Sequence, residues 1–495
     1  MLDSRTETEE TESVRKRRIR SWLARTMWAA LLLLGLLTAA LTLVTPPAAA
    51  QLLPDSTSAL HADRPAEGAD TYVAVRRPWL AAGEVVAANA VVWIYDRYIR
   101  EGGTNPGFRI GFNSFEENIK NGFEWDDNNF STNQFAHPFH GSLYFNAARS
   151  NGLTYWESIP FAWAGSFMWE YFGEVHHASM NDWIATSMGG NTLGEALHRF
   201  SVMMTDNTAT GSGRTWGEVG GTLVNPVRGF TRLVTGDFNR VHPNPPDRFP
   251  RASAISYRAG LRTVGQDHLW SADTTRVFME LAASMGDPFL GDREKPFDSF
   301  DFGLQLNFGD KATLGRAQAS GLLFASPVMG TEDSRHLVGA SQQFDYFNNN
   351  AFELGGQSLA ASFFSQMKAS EEFAVRTQLH VNAVVMAGVS ADYESISGRE
   401  YDFGPGLGFR FGGTFYYNRH PFLTLTHSQF WIHSVNGNSA EHVVSGSRAR
   451  VDIPLTRGFS IGADYVLYLA DRNYRDFPDV HERVPELRTG ISFNL

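Results

Sequence analysis

The chain has 495 residues, 43% of them hydrophobic and 19% charged, which is too apolar for global disorder and long enough for a barrel plus a second domain. Its 42 basic residues fall short of its 53 acidic ones, and the net charge of −11 gives nucleic acid no basic face to bind. Cysteine is absent, so disulfides, thiolate metal sites and Cys nucleophiles are excluded.

Aromatic residues make up 13% of the chain, with 37 Phe and 46 Gly. That bias suits an outer-membrane barrel, whose aromatic girdles mark the lipid interfaces. The N-terminus carries an export pattern. Arg15 to Arg25 is basic, Trp28 to Val44 is apolar, and Ala48-Ala49-Ala50 precedes an expected cleavage before Gln51. An uncleaved anchor is the alternative, because the apolar run is long for a signal sequence. Residues 51–80 have no periodicity and are expected to be a disordered mature N-terminus.

A helical domain is expected over residues 81–240. Glu84 to Arg100 repeats Val85, Ala88, Val92 and Tyr95 at helical spacing. Five hydroxyl-x-x-acid pairs then mark helix starts: Ser114/Glu117, Thr154/Glu157, Ser179/Asp182, Thr192/Glu195 and Thr215/Glu218. Gly189-Gly190 reads as a helix end. Pro160 would sit better in a helix that begins at Ser158. The stretch from Pro160 to Phe172 is apolar on every side, which places it at the centre of this domain or inside something larger.

Residues 241–252, HPNPPDRFPR after Val241, read as a Pro-rich linker. Beyond it the period becomes two. Phe300, Phe302, Leu304, Leu306 and Phe308 alternate with Asp301, Gly303, Gln305 and Asn307. Phe373 to Val385, Ile461 to Leu469 and Leu487 to Leu495 repeat the pattern. About twelve such segments over 253–495 predict a membrane β-barrel, antiparallel, with the helical domain in or under its lumen. Inner-face charges Asp301, Arg376, Arg410, Arg448, Arg450 and Asp464 are then expected to face the helices.

Polar chemistry concentrates between Gln134 and Arg199. His137 and His140 flank Pro138, and either could act as base, ligand or structural group. Glu170 and Glu174 stand four apart at the end of the apolar helix, where like charges need a partner. Arg149, Arg199, a proton or a cation would serve. Arg149, Asn181, Asp182, Glu195 and Arg199 form a binding or structural polar cluster. Glu157, Asp182, Glu195 and Glu218 are accounted for by capping. Two Glu-x-x-His pairs, Glu174/His177 and Glu195/His198, would with two further Glu make a di-iron bundle's ligand set, but both fit it poorly because His177 falls beyond its helix and Glu195 caps one. Ser142 with His140 and Glu170 lacks a nucleophile elbow. No metal and no cofactor are assigned, since no dinucleotide, P-loop or EF-hand pattern occurs.

HPFHGSLYFNAARSNG, WESIPFAWAGSFMWEYFGE, SMNDWIATSMGGNTLGEALHR and GEVGGTLVNPVRGFTRLVTG, in that order, resemble a bacterial family known only as a domain of unknown function. The resemblance covers roughly Asn113 to Asp237. It implies an exported protein of Gram-negative-type bacteria with a helical domain before an outer-membrane barrel, and no established catalytic residues. Ala178 stands where that pattern commonly has Pro, and His177 is not a fixed position in it. Two functions follow as expectations. One is transport, lipid handling or envelope organisation, with the helices as plug or gate and outer-membrane lipids and a small solute as partners. The other is a lipid- or glycan-modifying enzyme using His137 or His140 with Glu170 or Glu174.

Overall fold

The computed structural model describes residues 72–265, 275–310, 312–395, 398–456 and 458–495. The export signal, its cleavage site and most of the expected disordered segment lie outside them. The helical domain opens with α1 (Pro78–Ile94), which starts at a Pro suited to a first turn, slightly earlier than residue 81. It continues through α2 (Phe112–Asn121), α3 (His137–Ser150), α4 (Tyr155–Phe172), α5 (Met180–Met204), α6 (Gly211–Val224) and α7 (Pro226–Val234).

Two of the five expected helix starts form as caps. Thr154 accepts from the Glu157 N–H while the Glu157 carboxylate accepts from the Thr154 N–H, and this box outweighs the cost of holding Pro160 inside α4. Ser179 accepts from the Asp182 N–H at the start of α5. Elsewhere the motif misleads. α2 begins at Phe112, with Ser114 reaching back to Gly111. Thr192/Glu195 lies inside α5, and Thr215/Glu218 lies inside α6.

Gly189-Gly190 also belongs to the interior of α5 rather than to its end. Its role is close approach. A Cβ on Gly190 would stand 2.5 Å from the Gly141 carbonyl carbon, and one on Gly141 would stand 1.8 Å from the Thr186 carbonyl oxygen. α3 and α5 therefore cross backbone to backbone. α5 is the central helix, most of its residues buried, whereas the all-apolar α4 leaves Trp156, Phe167 and Phe172 exposed.

After a coil through the Pro-rich linker come twelve antiparallel strands: β1 (Ser253–Val264), β2 (Thr275–Met285), β3 (Phe300–Phe308), β4 (Leu314–Pro327), β5 (Ser334–Asn348), β6 (Glu353–Lys368), β7 (Phe373–Ser390), β8 (Tyr401–Tyr417), β9 (His420–His433), β10 (Ala440–Thr456), β11 (Phe459–Tyr474) and β12 (Val480–Asn494). Each pairs with its sequence neighbours, and β12 closes on β1 from Glu486↔Val264 to Asn494↔Ser256. Closure leaves no edge, which is what a lipid environment demands. Outward residues such as Leu261, Val381, Leu407, Val451 and Ile491 are apolar and exposed. Inward ones such as Arg258, Glu280, Asp464 and Arg488 are polar and buried. This is a membrane β-barrel.

The lumen is filled by the barrel itself. Arg448 on β10 binds Glu280 on β2 through two bonds of 2.8 and 2.9 Å, across three intervening strands. Arg448 also reaches Asp464 at 2.9 Å, and Arg258 and Arg316 complete the network on Asp464 and Glu280. Arg262 and Arg488 share Glu486. Phe347, Phe352, Phe430, Tyr468 and Val444 form an apolar layer beside these charges.

The helices lie elsewhere than expected. Phe200 of α5 packs 5.4 Å from Phe300 and 5.6 Å from Phe302. The Tyr155 hydroxyl donates to Gln342 at 2.6 Å, and Phe130 and Phe135 each meet Tyr346 at 5.7 Å. Gln134 covers Gly355 and Gly388. Phe300, Phe302, Gln342 and Tyr346 alternate with the lumenal Asp301, Gln343 and Asp345, so they belong to the outer face, as do Gly355, paired with Tyr346, and Gly388, paired with Gly355. The domain therefore leans on the outside of β2–β8. The inner-face charges pair within the barrel, Arg376 with Asp287, Arg410 with Asp345 and Arg450 with Asp452, and not with the helices. The reason is apolar area: Leu281, Ala283 and Met285 face outward yet are buried beneath helices, while Val277 and Met279 on the same face stay exposed.

The crossing of α3 and α5 gives a test. Gly190→Leu should force the two helices apart and lower stability by about 1–3 kcal/mol or more. Thermal unfolding in detergent, with proteolysis confined to residues 72–240, would register it.

Candidate functional site

Two buried polar groupings emerge from the expected cluster. In the first, Glu195 of α5 is fully buried between two arginines. Arg149 contacts it at 2.5 and 3.0 Å, and Arg199 contacts it at 2.9 Å. Arg199 continues to Asp298 at 3.2 Å and to the Pro296 carbonyl at 3.0 Å, which ties α5 to the loop between β2 and β3. Burial alone would raise the Glu195 carboxyl, but Arg149 and Arg199 reverse that and hold it below the usual range. This acid is an ion-pair anchor rather than a cap. Glu218 is the same, held by Arg232 at 2.6 Å and Arg214 at 2.9 Å.

The second grouping lies where α3 begins, α4 ends and α5 begins. His137 is the first residue of α3, Glu170 stands in the last turn of α4, and Asp182 in the first turn of α5. One ligand atom from each falls within 4.8 Å of the others. His137 Nε2 is 3.8 Å from Asp182 Oδ2, and the Thr186 hydroxyl is 3.3 Å from His137 Nδ1. Asn181 donates to Asp182 Oδ1 at 2.9 Å, while its own carbonyl accepts from the Asp126 N–H and the Ser179 hydroxyl. The Ser179 N–H donates to Glu170 Oε2 at 2.8 Å. Capping explains only the Asp182 backbone; its carboxylate is turned into this cluster.

Burial, reinforced by Asp182 and Glu174, lifts the Glu170 carboxyl well above the ordinary range, and burial with Asp126 does the same to Asp182. Burial lowers His137 to about 4, with Asp126 opposing, so its imidazole is neutral at pH 7. Glu174 does not pair with Glu170 on a helix face, since α4 stops at Phe172. Burial, then Asp126 and Asp96, raise Glu174 to about 8 against Arg100.

His140 is occupied. Its Nε2 is 2.7 Å from the Tyr144 hydroxyl, which donates to Asn89 at 2.5 Å, and Trp169 packs edge-on against its ring. Burial, and then His137, lower it to about 3. The Ser142 hydroxyl donates to the Phe139 carbonyl. The two Glu-x-x-His pairs do not converge: His177 is half-exposed beside Glu124, and Glu195 belongs to the arginines. Residues that sequence reasoning passed over are Asp126 and Asn133, which link the cluster to Tyr401 on β8, and the lumenal Glu280. Glu280 sits on an inward position of β2, and strand alternation there was the signal for it.

Residues 122–227 match the profile of a domain of unknown function (DUF3943). No curated protein sequence matches the chain. Among solved structures the barrel is similar to the NanC porin, at 12% identity over 49% of this chain and 100% of that one, with a TM-score of 0.28. It is similar also to DcaP, an outer-membrane channel of Acinetobacter baumannii, at 10% identity over 49% and 96%, with a TM-score of 0.20.

Glu195→Gln removes the negative charge that two buried arginines share, and the loss should amount to about 3–5 kcal/mol of stability. Tryptophan fluorescence during denaturant unfolding in detergent should show the helical transition at lower denaturant, ahead of the barrel.

Proposed function

We propose that the protein is an outer-membrane barrel of the transport type, whose pathway is the lumen and whose closed state is held by lumenal ion pairs. The helices serve as a wall-bound domain instead of a plug. The observation that carries this reading is the Arg448–Glu280 pair spanning the barrel interior. Twelve strands enclose more width than a barrel that only needs to fill itself with side chains. A purely structural interior is more stable when apolar, because buried ion pairs are rarely better than a packed hydrophobic core. Charges that meet across a lumen and can separate are suited to gating a polar solute.

Outer-membrane lipids fit as partners of the exposed outward face. α1 adds Trp79, Val86 and Val91, and α4 adds Trp156 and Phe167, to the apolar surface beside the wall. Export through a signal sequence belongs to the same reading. The enzyme alternative gains no support, since Glu170 is buried, His140 is half-buried, and both are hydrogen-bonded within the domain.

Conductance in planar lipid bilayers tests the gate. The wild-type chain should pass little current, and the double variant Glu280→Ala/Arg448→Ala should pass several-fold more. A wild-type chain that is already open, or a double variant as closed as wild type, would overturn the proposal.

A further inference from the structure

We infer that His137, Glu170 and Asp182 form a binding site for one divalent transition-metal ion of the zinc or manganese type, which fastens three helices of the N-terminal domain together. Each residue comes from a different helix, at the start of α3, the end of α4 and the start of α5. Their donor atoms already lie within 4.8 Å of one another. Zinc bonds of about 2.0–2.2 Å need donors only slightly closer than the 3.8 Å between His137 and Asp182. The rest of the set, spread over as much as 4.8 Å, has to draw together by side-chain adjustment when the ion binds.

The decisive atom is Glu170 Oε1. The Glu170 side chain is fully buried, its Oε2 is held by the Ser179 N–H, and Oε1 has no hydrogen-bond partner among the described residues. A buried carboxylate oxygen without a partner is costly, and here it lies beside a second carboxylate. Among the described residues the ion-pair partner within reach of Asp182 is His137, and no arginine or lysine bridges to Glu170. With both carboxyl protons displaced on binding, two carboxylates and a neutral imidazole present two negative charges, which a divalent ion cancels.

The surrounding bonds are those of a ligand set held in place. Asn181 fixes Asp182 Oδ1, Ser179 fixes Glu170 Oε2, and the Thr186 hydroxyl at His137 Nδ1 leaves Nε2 toward the acids. Such outer contacts orient metal ligands and set the imidazole tautomer. One nitrogen and two carboxylates favour zinc, manganese or iron over calcium, which takes six to eight oxygens. Three protein donors leave further positions for water.

The test uses the full-length chain in detergent, without a histidine tag, stripped by a chelator and then offered Zn²⁺ or Mn²⁺ singly. After dialysis, elemental analysis should find about one ion per chain, with a higher Tm than the stripped protein. Glu170→Gln and Asp182→Asn should each lose the ion and the Tm rise, whereas His177→Ala, at an exposed histidine outside the cluster, should keep both. Wild type that retains no ion overturns the inference, as does equal retention in the Glu170 and Asp182 variants. A stripped wild type whose Tm the ions leave unchanged also overturns it, because the acids would then be an uncharged hydrogen-bonded pair. Should the variants fail to fold, Co²⁺ on the wild-type chain decides. Visible ligand-field bands that Zn²⁺ displaces support the site, and their absence refutes it.

Discussion

A closed barrel puts two different solvents on its two faces, and every residue of every strand must suit one of them. The rest of this structure follows from how those faces are satisfied. Inside, arginines and acids meet across the ring, as Arg448 and Glu280 do, and Phe347, Phe430 and Tyr468 fill beside them. Outside, an apolar surface needs either lipid or protein. Over β2–β8 the protein supplies its own cover, with α5 carrying Phe200 onto Phe300 and Phe302. The helical domain and the barrel thereby share one hydrophobic core, in which Tyr144 and Phe145 join Leu281 and Met285.

The barrel was legible because alternation is a local property. Phe300 to Phe308 announces two faces whatever packs against them, and the strand number followed from repeating that reading. What covers each face was not legible. Leu281 and Met279 lie on the same face of one strand with the same chemistry, yet one is buried under helices and the other is exposed. Their difference is made by residues far away in the chain. Pattern alone therefore allowed the helices to be placed inside, where the lumenal side chains leave them no need to be.

The helical domain shows the limits of short motifs. A hydroxyl followed three residues later by an acid caps a helix only when the backbone before it is extended, as at Thr154 and Ser179. Inside a helix the same pair satisfies other demands: Thr192 donates to the Met188 carbonyl, and Glu195 holds two arginines. Gly190 read as a stop because flexibility and close packing call for the same residue. Of the candidate site, the residue types were visible and their partners were not. Arg149 and Arg199 pair with Glu195, leaving Glu170 to face Asp182 and His137, and that exchange depends on how α3, α4 and α5 converge.

The position of the domain on the outer wall also constrains the order of assembly. Residues 78–234 precede every strand of the barrel, yet the surface they rest on is contributed by β2 through β8, down to Tyr401 and Phe403. That platform exists only after those strands have paired. The domain is thus made before the surface it docks on, and until that surface forms its wall-facing residues, Phe200 among them, lack their partners there.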